Sequence, residues 1–242
     1  TGTTLSRESL EGICDMVIQE NARRSTDQKK LYLMFDQMYW TLTYGHTQHY
    51  NPVSLRPEIK PYTIFIDGIS KAFAATGVRV GWALGPETVI AKMKAILSHL
   101  GAWAPMAEQK AVTKYLSQTD NIRRYLQAFK KELELRLHGI YEGLIPLKAK
   151  GYPVDAVFPQ AAIYLTICLD LKGKITPDGT RLESQADVTD YILQAAKLAV
   201  VPFYAFGAGN NSPWYRLSVG TCHKEDIPVM LQQLESALSA LH

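Results

Sequence analysis

The chain has 242 residues, 47% of them hydrophobic and 20% charged, a composition typical of a globular protein with one large core or two smaller ones. The chain has 26 lysine and arginine residues against 23 aspartate and glutamate residues, and no block of like charges is present. This balance argues against nucleic acid or a membrane surface as a partner.

Three cysteines, Cys14, Cys168 and Cys222, are odd in number and far apart. They therefore indicate neither a disulfide framework nor a zinc site, and we expect a cytoplasmic protein. No apolar run approaches the roughly 20 residues that span a bilayer, and the first four residues show no signal pattern. We therefore also expect a soluble, unexported protein.

The first half of the chain alternates predicted helices and strands. Apolar residues recur at helical spacing from Ser6 to about Arg24, and the short apolar run Leu31 to Phe35 then has the length of a strand. Two further strand-like runs, Thr63 to Ile66 and Val78 to Leu84, precede a helical stretch from Glu87 to Leu97. This alternation predicts an α/β fold.

The second half begins with a long helical pattern. Between about Met106 and Leu144 the periodicity predicts one bridging helix. Beyond Pro146 the pattern changes to shorter elements, and we predict three strands (Ala162 to Leu169, Leu198 to Pro202, Tyr215 to Val219) and two helices (Ala186 to Ala199, Ile227 to Leu241). The sequence thus predicts two domains, residues 1–138 and a smaller α+β domain of residues 139–242.

One stretch carries the residues expected for chemistry. Gly68-Ile69-Ser70-Lys71 places a lysine at the end of an apolar strand, and Gly77-Val78-Arg79-Val80-Gly81 places an arginine eight residues later. Small residues there would let a cofactor approach the backbone. A lysine can form a Schiff base with a carbonyl cofactor, and an arginine with a serine hydroxyl suits a phosphate.

At each constrained position, this stretch resembles the lysine-attachment signature of the class I aminotransferases. The signature reads small-aliphatic-Ser-Lys followed by Gly-x-Arg-aliphatic-Gly, and the most similar subgroup begins with Asn-Gly where this chain has Asp67-Gly68. The resemblance implies that Lys71 binds pyridoxal 5'-phosphate covalently and is the catalytic residue. It also implies that Ser70 and Arg79 hold the cofactor phosphate.

Two further elements resemble the same family. Asp36-Gln37-Met38-Tyr39 resembles its Asp-Glu-Ile-Tyr element, which implies that Asp36 pairs with the pyridinium nitrogen of the cofactor and Tyr39 donates to its phenolate oxygen. Tyr215-Arg216-Leu217-Ser218 resembles its late Arg-Leu-Ser element, which implies that Arg216 binds the α-carboxylate of the substrate. Without the Lys71 match, capping of the following turn would be the default explanation of the Asp36 motif. An ion pair within a strand would then explain Arg216 about as well as substrate binding does.

The resemblance implies an aminotransferase that moves an amino group between an α-amino acid and a 2-keto acid, as a homodimer. The expected fold is part of the large domain, with a mostly parallel sheet and helices, plus the small C-terminal domain. Two alternatives stay open: another pyridoxal-phosphate enzyme of this fold, such as a lyase, decarboxylase or synthase, or an inert fragment that serves as an interaction module.

The family's N-terminal region is not matched. Thr1-Gly2 resembles the end of its Asn-Pro-Thr-Gly element, so the cofactor-contacting asparagine, the phosphate loop and the stacking aromatic residue lie outside this sequence. We therefore expect residues 1–242 alone to bind the cofactor weakly and to be inactive. Between Leu97 and Pro105, where some members carry a second substrate-binding arginine, the chain has only His99.

Overall fold

The computed structural model describes all residues, 1–242, and the chain divides into two compact units. One unit is Thr4–Ala128, and the other is Phe129–His242 together with Thr1–Thr3. The domain boundary after residue 138 stays our proposal, ten residues beyond the boundary of these units. None of the helices combines the length and the apolar character that a membrane crossing requires.

The unit of residues 4–128 contains a three-stranded sheet and four complete helices. Its helices are α1 (Arg7–Arg23), α2 (Pro52–Leu55), α3 (Glu87–Leu100) and α4 (Met106–Leu116), its strands are β1 (Leu33–Asp36), β2 (Thr63–Gly68) and β3 (Gly81–Leu84), and α5 (Thr119–Ala149) begins in it. The α/β fold class expected from the sequence is confirmed, and the predicted helix after Ser6 is α1.

Helix α1 forms because its start is capped and one face is apolar. The Ser6 side chain accepts a hydrogen bond from the backbone N–H of Ser9, which satisfies one of the free donors at the helix start. Leu10, Cys14 and Val17 follow at helical spacing and are buried. They form a core cluster with Ile59, which fixes α1 beside the sheet.

The strands of this sheet are in the order β1-β2-β3. β1 and β2 are parallel with Asp36 opposite Ile66, whereas β2 and β3 are antiparallel with Gly68 opposite Gly81. A Cβ atom on Gly68 would lie only 2.9 Å from the Cα of Gly81 and from the Val80 carbonyl oxygen. The two glycines therefore permit a close approach of the backbones where the strands end.

Two elements differ from the prediction. The single helix expected from Met106 to Leu144 is two helices, α4 and α5, which are interrupted at Ser117 and Gln118. Ser117 donates its hydroxyl to the Lys114 carbonyl, a side-chain bond that competes with helix continuation. The strand predicted from Val78 begins only at Gly81, because Thr76–Val78 is a 3-10 turn and Arg79 is left-handed with φ 60°.

The other unit contains an antiparallel sheet in the order β4-β5-β7-β6. Its elements are most of α5, then β4 (Val154–Ala156), β5 (Tyr164–Leu169), α6 (Gln185–Ala196), β6 (Val201–Pro202), β7 (Trp214–Ser218) and α7 (Ile227–Ser239). Helix α6 begins with a capping box between Ser184 and Asp187. It contacts α7, where the Tyr191 hydroxyl donates to the Ala237 carbonyl at 2.6 Å.

Candidate active site

The structure places five predicted site residues at one end of the three-stranded sheet. β1 ends at Asp36, and Tyr39 lies in the turn that follows. β2 ends at Gly68, and Ser70 and Lys71 follow after one further residue. Arg79 lies two residues before the start of β3, where Gly81 pairs with Gly68. Because β1 and β2 are parallel, their carboxyl ends lie at the same edge. Ligands of open α/β sheets bind at such an edge.

Lys71 lies in a turn and is half-buried. Its carbonyl accepts a hydrogen bond from the N–H of Ala74 at 3.1 Å, which closes the turn. Ala74 has φ 49°, a left-handed conformation that disfavours residues with a Cβ. The backbone around the lysine is thus held in a conformation that costs about 1 kcal/mol or more.

Ser70 and Arg79, the two residues predicted to hold a phosphate, are connected through Thr76. The Thr76 hydroxyl donates to the Ser70 carbonyl at 3.1 Å, and the Thr76 carbonyl accepts from Nη1 of Arg79 at 2.8 Å. A guanidinium has five N–H donors, so this contact orients Arg79 while using only one of them. A cleft of about 760 Å³ opens here, and both Ser70 and Arg79 line it.

At the end of the neighbouring strand, Asp36 is exposed. One of its carboxylate oxygens accepts from the N–H of Met38 at 3.1 Å, as in a turn that follows a strand. The half-buried Tyr39 lies in the same turn, and its carbonyl accepts from the N–H of Leu42 at 2.8 Å.

The sequence interpretation assigned no role to Asp67, although it is the most buried carboxylate near this edge. It accepts hydrogen bonds from Trp40 Nε1 at 3.0 Å, from Gln37 Nε2 at 3.4 Å and from the N–H of Gly68 at 2.7 Å. Burial raises the pKa of Asp67, although these hydrogen bonds oppose the rise. The sequence feature that could have drawn attention to Asp67 is the replacement of the family's Asn-Gly by Asp67-Gly68.

Arg216 belongs to the other compact unit, in the middle of β7 opposite Thr166 of β5. Its guanidinium carbon lies 4.4 Å from the ring centroid of Tyr164 and 4.2 Å from that of Phe206. Both aromatic residues were missed from the sequence. The pairing register of β5 and β7 would have identified Tyr164. Tyr164 pairs with Ser218, which lies two residues from Arg216 on the same face of β7.

The aromatic contacts leave Arg216 suited to a carboxylate. Stacking covers the faces of a guanidinium, while its N–H donors point outward in the plane. An arginine held in this way loses little further freedom when it binds a carboxylate through two hydrogen bonds.

Thr1 and Gly2 lie in the same unit as Arg216. The Gly2 carbonyl accepts from the N–H groups of Gln160 and Ala161, and Gly2 has φ 81°. A Cβ atom there would lie 2.3 Å from the Tyr164 carbonyl oxygen, so only glycine fits.

The residues near Lys71 fit a carbonyl cofactor that carries a phosphate. The chain supplies an amine at the sheet edge, a serine and an arginine connected through Thr76, and a carboxylate at the end of the adjacent strand. No group of three or more His, Cys, Asp or Glu residues is arranged to hold a metal ion.

Comparison with known proteins agrees with this geometry. The model of the family "Aminotransferase class I and II" matches residues 1–234. Aspartate aminotransferase from Geobacillus stearothermophilus is 31% identical over 243 residues, which cover 100% of this chain and 54% of the relative. Aspartate aminotransferase from Rhizobium meliloti (strain 1021) is 30% identical over 215 residues, 87% of this chain and 49% of the relative.

A solved structure shows the same fold. The crystal structure of the Rhizobium meliloti aspartate aminotransferase superposes with a TM-score of 0.82 at 26% identity, over 100% of this chain and 56% of that one. The chain spans about half the length of the relatives that it matches. The family resemblance and the fold expected from it, part of the large domain of a fold type I transferase plus a smaller α+β domain, are confirmed, and the chain belongs to the class I and II aminotransferase family.

Proposed function

We propose that this chain carries the lysine and the substrate-binding arginine of a pyridoxal-phosphate-dependent aminotransferase that acts on α-amino acids and 2-keto acids. The observation that supports the proposal most is the position of Lys71. It follows β2 at the carboxyl edge where the parallel strand β1 ends in Asp36. When bound, pyridoxal phosphate supplies an electron-withdrawing ring that accepts the electron pair released at the substrate Cα.

The residues at the sheet edge would divide the work of binding and proton transfer. Lys71 would bind the cofactor covalently and, once displaced by an amino acid, carry the proton from the substrate Cα as a general base. Asp36 would keep the ring nitrogen protonated, and Tyr39 would donate to the phenolate oxygen. Ser70 and Arg79 would hold the phosphate, with Arg79 oriented by the Thr76 carbonyl.

Arg216 would hold the α-carboxylate of both amino and keto acids. Its contacts with Tyr164 and Phe206 support this role, because they fix the guanidinium before the substrate arrives. The class of substrate proposed is therefore the α-amino acids and their 2-keto counterparts. With the same function we propose a homodimer and a cytoplasmic location, the former from the family resemblance and the latter from the three unpaired cysteines.

The test is to replace Lys71 by alanine in the complete gene product. We expect Lys71→Ala to abolish transamination together with the visible absorbance of the lysine–cofactor adduct, because no other amine takes its position. Borohydride reduction of the unaltered protein followed by peptide mass analysis should place the cofactor on Lys71.

Lys92 on α3 is exposed and provides the matched control. Lys92→Ala should retain both the absorbance and the activity. Cofactor attached to a different lysine would refute the assignment of Lys71. Cofactor on Lys71 with decarboxylation or elimination in place of transamination would favour the alternative reaction classes.

A further inference from the structure

Asp67 is a buried carboxylate with only 7% of its surface exposed. Its hydrogen-bond donors are an indole, an amide and a backbone N–H, so every group that donates to it is neutral. Burying a carboxylate without a cation is unfavourable unless the donors are well placed.

The two side-chain donors flank Tyr39 in sequence. Gln37 and Trp40 lie in the turn after β1, and both donate to the same oxygen, Oδ2 of Asp67. The N–H of Trp40 also donates to the Gln37 carbonyl at 3.0 Å, which closes the turn around Met38 and Tyr39. One carboxylate oxygen therefore holds both ends of the segment that carries Tyr39.

Asp67 itself belongs to the strand that precedes Lys71. Asp67 lies in β2, four residues before Lys71, and its second oxygen accepts from the N–H of Gly68. The backbone repeats the connection, because the N–H of Gln37 donates to the Ile66 carbonyl at 3.0 Å. Asp67 thus joins the strand that ends near Lys71 to the turn that presents Tyr39.

We propose that Asp67 is a positioning residue, which through Trp40 and Gln37 fixes the hydroxyl of Tyr39 relative to Lys71. This inference rests on the proposed function, in which Tyr39 donates a hydrogen bond to the phenolate oxygen of the cofactor. The titratable groups that face Asp67 are Asp36 and His49, which interact with it electrostatically. Both stay unchanged in the variants used below.

The readout is the pH midpoint at which the visible absorbance of the lysine–cofactor adduct changes. A hydrogen bond to an ionised oxygen favours its deprotonated form, so loss of the Tyr39 bond raises this midpoint. We expect Asp67→Ala to raise the midpoint in the same direction as Tyr39→Phe. We also expect kcat to fall roughly tenfold to a hundredfold, the effect of a misplaced group, with KM little changed.

Two milder variants separate positioning from folding. Asp67→Asn retains a carbonyl oxygen that can accept from Trp40, and it should lie close to the unaltered protein in midpoint and kcat. Trp40→Phe retains an aromatic side chain but removes the N–H donor, and it should raise the midpoint even if Asp67→Ala fails to fold. Adding Trp40→Phe to Tyr39→Phe should cause no further shift, because both changes remove the same hydrogen bond to the cofactor.

A measurement without cofactor completes the test. Amide hydrogen exchange of residues 38–42 in the cofactor-free protein should accelerate in Trp40→Phe and in Asp67→Ala. If the exchange rates stay unchanged, or if the midpoint shifts of Trp40→Phe and Tyr39→Phe add, the proposal is overturned. If the unaltered protein forms no adduct at Lys71, the proposed function fails, and the exchange rates then decide by themselves whether Asp67 holds the turn.

Discussion

The two compact units differ in how much apolar surface they bury. Residues 129–242 contribute 25 buried apolar side chains, whereas residues 4–128, the longer unit, contribute 10. The antiparallel sheet of residues 129–242 has two central strands, β5 and β7. The sheet of residues 4–128 has only β2 in a central position, and α3 in the same unit buries no residue.

This difference bears on function because the proposed roles divide in the same way. The residues that we propose to bind the cofactor lie in the unit with the smaller core, and Arg216 lies in the unit with the larger one. Regions with few buried apolar contacts open locally at a lower free-energy cost. For residues 1–242 by themselves, we therefore expect the turn that carries Lys71 to be less protected than the strand that carries Arg216.

The largest expected effect comes from the cofactor side. We expect Asp36→Asn to slow Cα proton removal by several orders of magnitude while the cofactor still binds, because the ring loses the carboxylate that keeps its nitrogen protonated. Single-turnover kinetics with a substrate deuterated at Cα measure this step. The effect of Tyr39→Phe on this step should be much smaller. If both variants were as active as the unaltered protein, the proposed roles of Asp36 and Tyr39 would be refuted.

The contrast between the cores is tested with two strand leucines. Leu165 in β5 is fully buried, and Leu165→Ala should lower the free energy of unfolding by about 2–5 kcal/mol. Leu84 in β3 is 60% exposed, and Leu84→Ala should change it by no more than about 0.5 kcal/mol. Urea unfolding of residues 1–242 with each substitution gives the comparison. Equal losses of unfolding free energy would contradict the difference in burial between the two leucines.

Substitution of Arg216, the proposed substrate-binding residue, should change kcat/KM. Arg216→Ala removes a charged hydrogen-bonding partner worth about 1.5–3 kcal/mol, so kcat/KM should fall roughly 10-fold to 150-fold while cofactor binding survives. Arg216→Lys, the matched control, retains the charge without the bidentate geometry and should fall in between. The role would have to be withdrawn if amines without a carboxylate were the better substrates of the unaltered protein.

The smallest effect at neutral pH is expected at Tyr215 in β7. Burial raises the pKa of Tyr215 from 10.0 to about 12, so the neutral phenol is favoured in the fold. Its contribution to stability is fully present below pH 10 and is lost as the pH rises through about 12. Tyr215→Phe should therefore reduce the alkaline loss of stability, as urea unfolding on either side of pH 10 would show.

The control for this pH series is Cys168, because burial also raises its pKa, to about 11. The alkaline loss that remains in Tyr215→Phe should decrease further when Cys168→Ser is added. An unchanged pH dependence in the double variant would place the titrating group elsewhere.

Much of the fold could be predicted from apolar periodicity, because it reports local burial. The runs Thr63 to Ile66 and Ala162 to Leu169 contain most of β2 and β5, and the helical periodicity that begins at Ser6 corresponds to α1. The break between α4 and α5 was not predicted, since the apolar pattern continues across Ser117 and Gln118. There, local hydrogen bonding overrides the periodicity.

The site residues also differ in whether a local motif could identify them. Lys71 and Arg79 are eight residues apart, so one motif could identify both. Trp40 lies 27 residues from Asp67, and Phe206 comes from a different element than Tyr164, although both rings contact Arg216. Such contacts depend on tertiary placement, which neither spacing nor composition encodes.

Arg79 illustrates a conflict between two demands on one position. Its φ of 60° suits glycine, whereas the phosphate-binding role that we propose for Arg79 requires a guanidinium. Under the proposed function, Arg79→Gly would relax the backbone and weaken phosphate binding together. Backbone stability and phosphate binding would thus favour different residues at this one position.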